Sequence, residues 1–440
     1  LKIGLLVLVR SMQLTPKVRI EELLGNVPGG QRVIEVPMSN SPTSMPKPLE
    51  GVRVLDLSRV LAGPYCTSLL ADLGAEVIKV EAPQRGDDTR HLGPFVNGES
   101  VYFSILNRNK KSITLNLKDE AAQKIFLDLA RKSQVVVENY RPGVAERLGV
   151  GYEAVSAVNP SIVYASISGF GQTGPLSGLP AYDMIIQAAS GLMSITGEAD
   201  GEPMKVGDSI ADVVAGLFAA FGISTALFGV RVTGRGTHLD VSMLESLMSL
   251  EVTAQSQLLA TGVAPERVGN RHPVTTPFGV FATKDNLVAI AAANNAVFER
   301  VARMIDRPDM ITDPLFATDE ARTANETVVR LAIEEWTTQR TSSDVVAIGT
   351  KLGVPVGEIS NLAEAMANPQ LIARHAIHSF MNPIAGKVSY VGQPVKFSGF
   401  SEAVPESSPE LGANTAEILH TLLGVGDEEL TALRDRGATA

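Results

Sequence analysis

Asp208 follows Gly207 and stands just ahead of an apolar stretch, Val213 to Val230, that carries no acidic or basic residue before its end. An aspartate in that place has an ordinary job, capping a helix by accepting a backbone N–H, and on the residues alone the cap is the favoured reading. A chemical role is compatible with it. The partial positive charge of a helix N-terminus keeps a carboxylate ionised, and an ionised carboxylate is a nucleophile toward an activated acyl group. Gly207 leaves a ligand close access to it. Tyr182-Asp183 opens a second apolar helical stretch with Ile185, Ile186 and Ala189. A helix cap beside a half-buried tyrosine is again the simpler account of that pair.

Other chemistry-bearing residues are harder to place. Gly169-Phe170-Gly171-Gln172-Thr173-Gly174 matches a G-x-G-x-x-G pattern after an expected strand. A dinucleotide fold would then need a helix to start at the last glycine. Pro175, Gly178 and Pro180 follow instead, so the dinucleotide reading fails and a loop passing close to a ligand or to backbone remains. Arg85, Arg90, Lys118, Arg141 and Arg147 fall after strand ends or in short helices. Each alone is by default a solvated surface residue. Their shared placement makes them candidates for phosphate binding in a crevice. Cys66, the one cysteine, lies within an expected helix and reads as core packing. Six scattered histidines, of which only His375 and His378 fall close together, give no metal cluster.

The chain of 440 residues has 45% apolar and 20% charged residues, ordinary for a globular protein. Its formal net charge of -10 argues against nucleic acid or an anionic membrane as a partner. The apolar run Ile3 to Val9 between Lys2 and Arg10 is short and lacks a cleavage site for a signal peptide. Residues 1–46 read as a poorly ordered extension, with Met38 and Met45 as alternative starts, and the chain reads as cytoplasmic. Val213 to Val230 meets the length rule for a spanning helix. Its Ala and Gly content and the preceding acids favour a helix buried on all sides.

The positioning elements alternate. Val52 to Leu57 reads as a strand, a helix with Pro64 in its first turn runs through Leu73 to a left-handed stop at Gly74, and Val77 to Val80 is the next strand. Ala122, Ile125, Phe126 and Leu129 fall at helical spacing. Strands over 135–137 and 162–167 follow, separated by a short helix over 142–148. Such βαβ alternation predicts an open, doubly wound α/β sheet, Rossmann-like in form. Beyond the long helix, a strand is expected at 238–242, a helix from 244 and a strand at 287–291. Mainly helical chain follows to about 350, then extended chain over 380–400 and a closing helix at 416–423.

Several segments together resemble the class III CoA-transferases, the family of formyl-CoA transferase, carnitine CoA-transferase and the α-methylacyl-CoA racemases. They include Leu49-Glu50-Gly51-Val52-Arg53-Val54-Leu55-Asp56, Ala62-Gly63-Pro64, Leu73 through Glu81, Asn109-Lys110-Lys111-Ser112-Ile113 and Glu138-Asn139-Tyr140-Arg141-Pro142-Gly143. Gly207-Asp208, Thr233-Gly234-Arg235-Gly236, Gly269-Asn270-Arg271-His272, Gly353-Val354-Pro355 and Lys396-Phe397-Ser398-Gly399 continue the match in order. The resemblance implies a large Rossmann-like domain beginning at 47–235, linker helices and a small α+β domain over 236–350, and a return to the large domain over 351–440. It implies an interlocked homodimer and Asp208 as the catalytic nucleophile. The implied reaction moves CoA from an acyl-CoA to a free carboxylic acid through aspartyl anhydrides and an aspartyl-CoA thioester. No metal and no permanently bound cofactor is implied, the coenzyme A thioester being a substrate. Its CoA contacts would fall on Leu61, Ala62, Arg85, Leu115, Asn116, Leu117, Lys118, Asn139, Tyr140, Arg141, Arg147 and Tyr182, and its acid pocket on residues 269–276 with the partner subunit.

Two departures bear on the activity. The racemases of the family carry histidine where this chain has Tyr182, and a phenol holds its proton too tightly to shuttle it at neutral pH. Transfer is therefore favoured over an acyl-CoA racemase or epimerase, which stays as the alternative beside a non-catalytic CoA-thioester-binding protein. Leu61 stands where formyl-CoA transferases have glutamine, and their four-glycine loop is missing, which argues against a formyl/oxalate pair.

Overall fold

The computed structural model describes residues 45–440, together with the backbone of a short antiparallel pair, Leu24–Asn26 with Arg32–Ile34. The rest of the extension expected over 1–46 lies outside the described residues. Six strands form one parallel sheet: β1 (Arg53–Asp56), β2 (Glu76–Glu81), β3 (Lys110–Thr114), β4 (Val135–Glu138), β5 (Val163–Ser168) and β6 (Thr237–Ser242). Their spatial order is β3-β2-β1-β4-β5-β6. The direction of winding reverses between β1 and β4, and ligands in such sheets bind beyond the carboxyl ends of the strands at that reversal.

Burial on both faces explains why the inner strands are near-continuous apolar runs. Val54, Val135, Val137 and Val163 face one core, whereas Leu55, Val136 and Tyr164 face the other. On the first side lie α1 (Ala62–Asp72), α3 (Asp183–Ser190) and α4 (Ile210–Thr233). On the second lies α2 (Glu120–Ala130), through Ala122, Ile125, Phe126 and Leu129. The chain returns to this second side at its end, with Ile418, Leu419, Leu430 and Leu433 in the same core. The Ala438 carbonyl accepts the Asn116 N–H at 2.8 Å, fixing the loop after β3.

The smaller antiparallel sheets stand apart from this one. β7 (Phe278–Ala282), β8 (Leu287–Ala291) and β9 (Val356–Glu358) pair antiparallel. They carry their own core of Phe281, Val288, Ile290, Phe298, Val301, Ile333 and Trp336. A hairpin of β10 (Ile377–Asn382) and β11 (Gly386–Val391) packs Phe380 and Tyr390 against Val101 and Ile105. The expected elements of the main sheet are present. The 380–400 segment is a hairpin followed by irregular chain, and a further helix, Asp427–Asp435, follows the closing one.

One expectation is overturned. The apolar helix α4 is not buried on all sides within its own chain, for Phe221, Phe228 and Val232 are 68%, 71% and 72% exposed. It is the one described helix long and apolar enough to cross a membrane, and a third of its apolar window is buried. Composition could not reveal which of its faces meets α1 and the sheet. On that inner face Gly216 passes so near α1 that a Cβ would come within 2.5 Å of the Ala62 carbonyl oxygen. A free helix glycine changed to alanine gains about 1 kcal/mol. Gly216→Ala should instead lose roughly 1–3 kcal/mol of unfolding free energy in urea denaturation, and a gain would show that the helices are not in contact there.

Candidate active site

Asp208 lies two residues before α4, and its side chain is exposed. It does not cap the helix. The N-cap residue is Ser209, which makes no side-chain cap, and Asp208 Oδ1 accepts only the adjoining Ser209 N–H, at 2.7 Å. The cap comes from another helix. Asp183 Oδ1 accepts the Ala211 N–H of α4 at 2.8 Å, and its Oδ2 accepts from Gln187 Nε2 at 2.7 Å. Gln187, fully buried, also accepts the Val206 N–H at 2.9 Å and donates to the Asp208 carbonyl oxygen at 3.3 Å. Residues 206–211 are thus held by α3 while Asp208 Oδ2 has no partner among the described residues. The expected caps are therefore exchanged: Asp183 is the first residue of its own helix, with Tyr182 at the N-cap, and serves α4 instead.

Asp212 lies one turn into α4. Burial, helped by the neighbouring Asp183 carboxylate, raises its pKa to about 7, against the Ala62 backbone N–H, which favours the charged form. Near neutral pH it is partly protonated, which eases the crowding of negative charge at this helix end. Burial, together with the Asp212 and Asp208 carboxylates, pushes the Tyr102 pKa up to about 12.

A cavity of about 330 Å³ opens where the sheet winding predicts one, beyond the carboxyl ends of β1, β2 and β3 and beside Tyr140 after β4. Arg59, Arg85 and Lys118 are exposed residues on its lining. Arg59 and Arg85 both lean on Asp88, at 3.3 and 3.1 Å. Two guanidinium groups sharing one partly exposed carboxylate can turn to an incoming phosphate. The Arg59 backbone is itself clamped by Asn139, whose side chain accepts its N–H at 2.8 Å and donates to its carbonyl at 2.7 Å.

Beneath this cavity is a buried charge network. Lys110 Nζ meets Asp56 at 3.0 Å, Thr67 Oγ1 at 2.8 Å, Asn107 Oδ1 at 3.0 Å and the Pro64 carbonyl at 3.1 Å. Lys79 Nζ meets Asp87 and the Ser58 carbonyl, each at 2.8 Å. Burial works to raise the Asp56 carboxyl, but Lys110 and Lys79 outweigh it and hold it at about 2. Burial lowers Lys110 to about 8 even beside Asp56. These ties join β1, β2, β3 and the start of α1, and so fix the cavity floor.

Of the residues expected to contact CoA, Arg85, Leu115, Asn116, Leu117, Lys118 and Tyr140 line the cavity. Leu61, Ala62, Asn139, Arg141, Arg147 and Tyr182 do not, although Asn139 holds Arg59 and Leu61-Ala62 begins α1. Arg90 is drawn away, paired with Glu81 through two 2.8 Å bonds and stacked 3.9 Å over Phe103. Arg59 escaped the sequence reading because it stands in no pattern that marks a ligand, and Lys79, inside the Leu73–Glu81 segment, was not singled out there. Gly169 serves backbone approach, since a Cβ there would meet Ala181 at 2.3 Å. Cys66 is buried, which pushes its thiol pKa up and leaves it inert. Among the described residues no group of His, Cys, Asp and Glu could hold a metal.

The sequence model of CoA-transferase family III matches residues 49–415. The chain is 44% identical over 367 residues to acetyl-CoA:oxalate CoA-transferase from Acetobacter aceti, covering 83% of this chain and 93% of that one. It is 38% identical over 410 residues to the human succinyl-CoA:glutarate CoA-transferase, covering 93% and 94%. A crystal structure of a CAIB/BAIF family protein from Brucella suis superposes with a TM-score of 0.76 at 35% identity, covering 86% of this chain and all of that one.

Two stability effects follow from the geometry. Asp183→Ala removes the cap of α4 and should cost about 0.5–2 kcal/mol in denaturant unfolding, with Asp183→Asn losing less because it retains an acceptor; equal losses would contradict the capping role. The Asp56 carboxyl, ordinarily at 3.8, is lowered on folding, so its contribution is complete above pH ~4 and falls away as the pH drops toward about 2. Lys110→Met, which strands that charge, should cost about 3–5 kcal/mol at neutral pH, and this loss should shrink in acid. A loss that is constant down to pH 2 would contradict the pairing.

Proposed function

Because the chain belongs to CoA-transferase family III, and so moves CoA between an acyl-CoA and a carboxylate, we propose that Asp208 is the residue that carries the acyl group and then the CoA. The observation behind this is the exchanged cap: a carboxylate at a helix N-terminus whose structural duty is discharged by Asp183. In the first step a carboxylate oxygen of Asp208 attacks the thioester carbonyl, the C–S bond breaks, and CoA thiolate leaves a mixed anhydride. The thiolate then attacks the aspartyl carbonyl, releasing the donor as its carboxylate and leaving an Asp208–CoA thioester. The acceptor carboxylate attacks that thioester, expelling CoA thiolate again and forming a second anhydride. Thiolate attack on the acceptor carbonyl yields the new acyl-CoA and restores the Asp208 carboxylate. Protons balance throughout, and one direct exchange is divided into easier acyl transfers.

In this reading the cavity beyond β1, β2 and β3 takes the nucleotide end of CoA, with Arg59, Arg85 and Lys118 toward its phosphates. The route to Asp208 is short in sequence. Arg59 lines the cavity, and Ala62, three residues on, touches α4 at Asp212 and Gly216. The relatives named as oxalate and glutarate CoA-transferases support a dicarboxylic acid as one substrate. The exposed apolar side chains of α4 and Leu259, 84% exposed, support an interlocked homodimer in which a second chain covers them. On this reading the apolar face of α4 meets a second chain and not a lipid bilayer.

The test is direct. Asp208→Ala and Asp208→Asn should each reduce transfer by at least ~10³-fold, the scale on which loss of a covalent nucleophile is felt, with acyl-CoA binding retained by calorimetry. Normal turnover in either variant would refute the assignment.

A further inference from the structure

The charged residues that line the cavity beyond β1, β2 and β3 fall into two sets. Those at its base are cancelled by close partners: Lys79 is paired with Asp87 at 2.8 Å, and Glu81 with Arg90 at 2.8 Å. At the mouth, Arg59, Arg85 and Lys118 are cationic and Asp88 is the one acid among the lining residues left without a buried partner. Asp88 bridges two of these cations, one oxygen to each. Its Oδ2 stands 3.3 Å from Arg59 Nη1, and its Oδ1 stands 3.1 Å from Arg85 Nη2. Arg59 follows β1 and Arg85 follows β2, so the carboxylate joins the two loops that frame the opening. Lys118, after β3, makes no side-chain ion pair or hydrogen bond among the described residues.

The turn that carries Asp88 does not depend on its side chain. Asp88–His91 is a short 3-10 helix held by the neighbours of Asp88. Asp87 accepts the Thr89 N–H at 2.9 Å and the Thr89 hydroxyl at 2.7 Å, and Arg90 anchors the turn through Glu81. The contacts with Arg59 and Arg85 are the only ones the Asp88 side chain makes among the described residues. Nor does the bridge freeze the arginines. Their side chains are 57% and 77% exposed, and each meets the carboxylate through one nitrogen. Arg90, by contrast, grips Glu81 through two. An exposed, single-contact pair adds little stability and orders a long side chain poorly, so losing it sacrifices little preorganisation. What remains is competition, because the two carboxylate oxygens hold the places that phosphate oxygens would take.

We propose that Asp88 is a built-in counter-ion, a positioning residue that occupies Arg59 and Arg85 in the free enzyme and is displaced by the phosphates of the incoming CoA thioester. This rests on the reading of the cavity as the nucleotide site and deepens it by naming the exchange that entry requires. No covalent bond changes: both guanidinium groups leave Asp88 for phosphate oxygens, and the partly exposed carboxylate turns to water. A carboxylate carries one negative charge and the CoA phosphates carry several, so the exchange runs toward the ligand. The affinity for CoA is lowered in proportion to the fraction of molecules in which the arginines are engaged.

The experiment is calorimetric titration of the full-length protein with free CoA. Asp88→Asn keeps the shape and removes the charge. It should tighten CoA binding by roughly 3- to 10-fold, the scale of two exposed ion pairs released together, and the gain should shrink as salt is added. Asp88→Glu, which keeps the charge, should return the affinity toward that of the unaltered protein. Partial unfolding of a variant cannot imitate a tighter site. A second background separates the bridge from simple through-space repulsion: with Arg59→Met and Arg85→Met both present, Asp88→Asn should no longer tighten binding. An unchanged or weaker affinity in Asp88→Asn, or the same gain with both arginines absent, would overturn the proposal. Failure of the nucleotide-site reading looks different, as CoA affinity that survives Arg59→Met and Arg85→Met together.

Discussion

The hydrogen bond from the Ala211 N–H to Asp183, 2.8 Å long, sets what this site can do. A helix as long and apolar as α4 exposes unsatisfied N–H groups at its start, and an acidic side chain nearby will normally take one. Asp183, delivered from α3 and steadied by Gln187, does so from inside the protein. Asp208 then sits at the same positive helix end without being consumed by it. A carboxylate engaged by several backbone donors would be a poorer nucleophile. The arrangement separates the electrostatic benefit of the helix terminus from its hydrogen-bonding demand.

The substrate side depends on a different constraint, the burial of charge. Asp56, Lys110, Lys79 and Asp87 are each almost fully buried, and each is tolerable only because the others are in place. The network ties three neighbouring strands to one another and to the first turn of α1. The cavity above it therefore inherits a rigid floor, while the cationic side chains at its mouth stay exposed and adjustable. The same first turn touches α4 through Ala62, so the cavity and the helix that follows Asp208 share one backbone segment.

Much of the main sheet was legible in the sequence because parallel strands buried on both faces are written as short apolar runs, Val135 to Val137 most plainly. Asp208 was legible as a residue, through its Gly-Asp pair and the resemblance, but its freedom was not. Whether an aspartate caps its own helix or a distant one depends on tertiary contact, and Asp183 lies 25 positions away in sequence. The faces of α4 were hidden for a related reason: a helix apolar all round does not declare which side meets its own sheet. Arg59 carried no motif, and Arg90, which did look like a phosphate ligand, is claimed by Glu81. Leu115 through Lys118 line the cavity because a chain position after a strand end is fixed by topology, whereas side-chain partners are not.

The proposed reaction requires Asp208 to form covalent bonds with substrate. The most direct measurement is mass spectrometry of peptides from enzyme mixed with an acyl-CoA, quenched within milliseconds and treated with hydroxylamine. Hydroxylamine converts an aspartyl anhydride or thioester to a hydroxamate and leaves a free carboxylate unchanged. The expected product is a hydroxamate on Asp208, dependent on acyl-CoA. A modification confined to another carboxylate, or turnover with every carboxylate left unmodified, would contradict it.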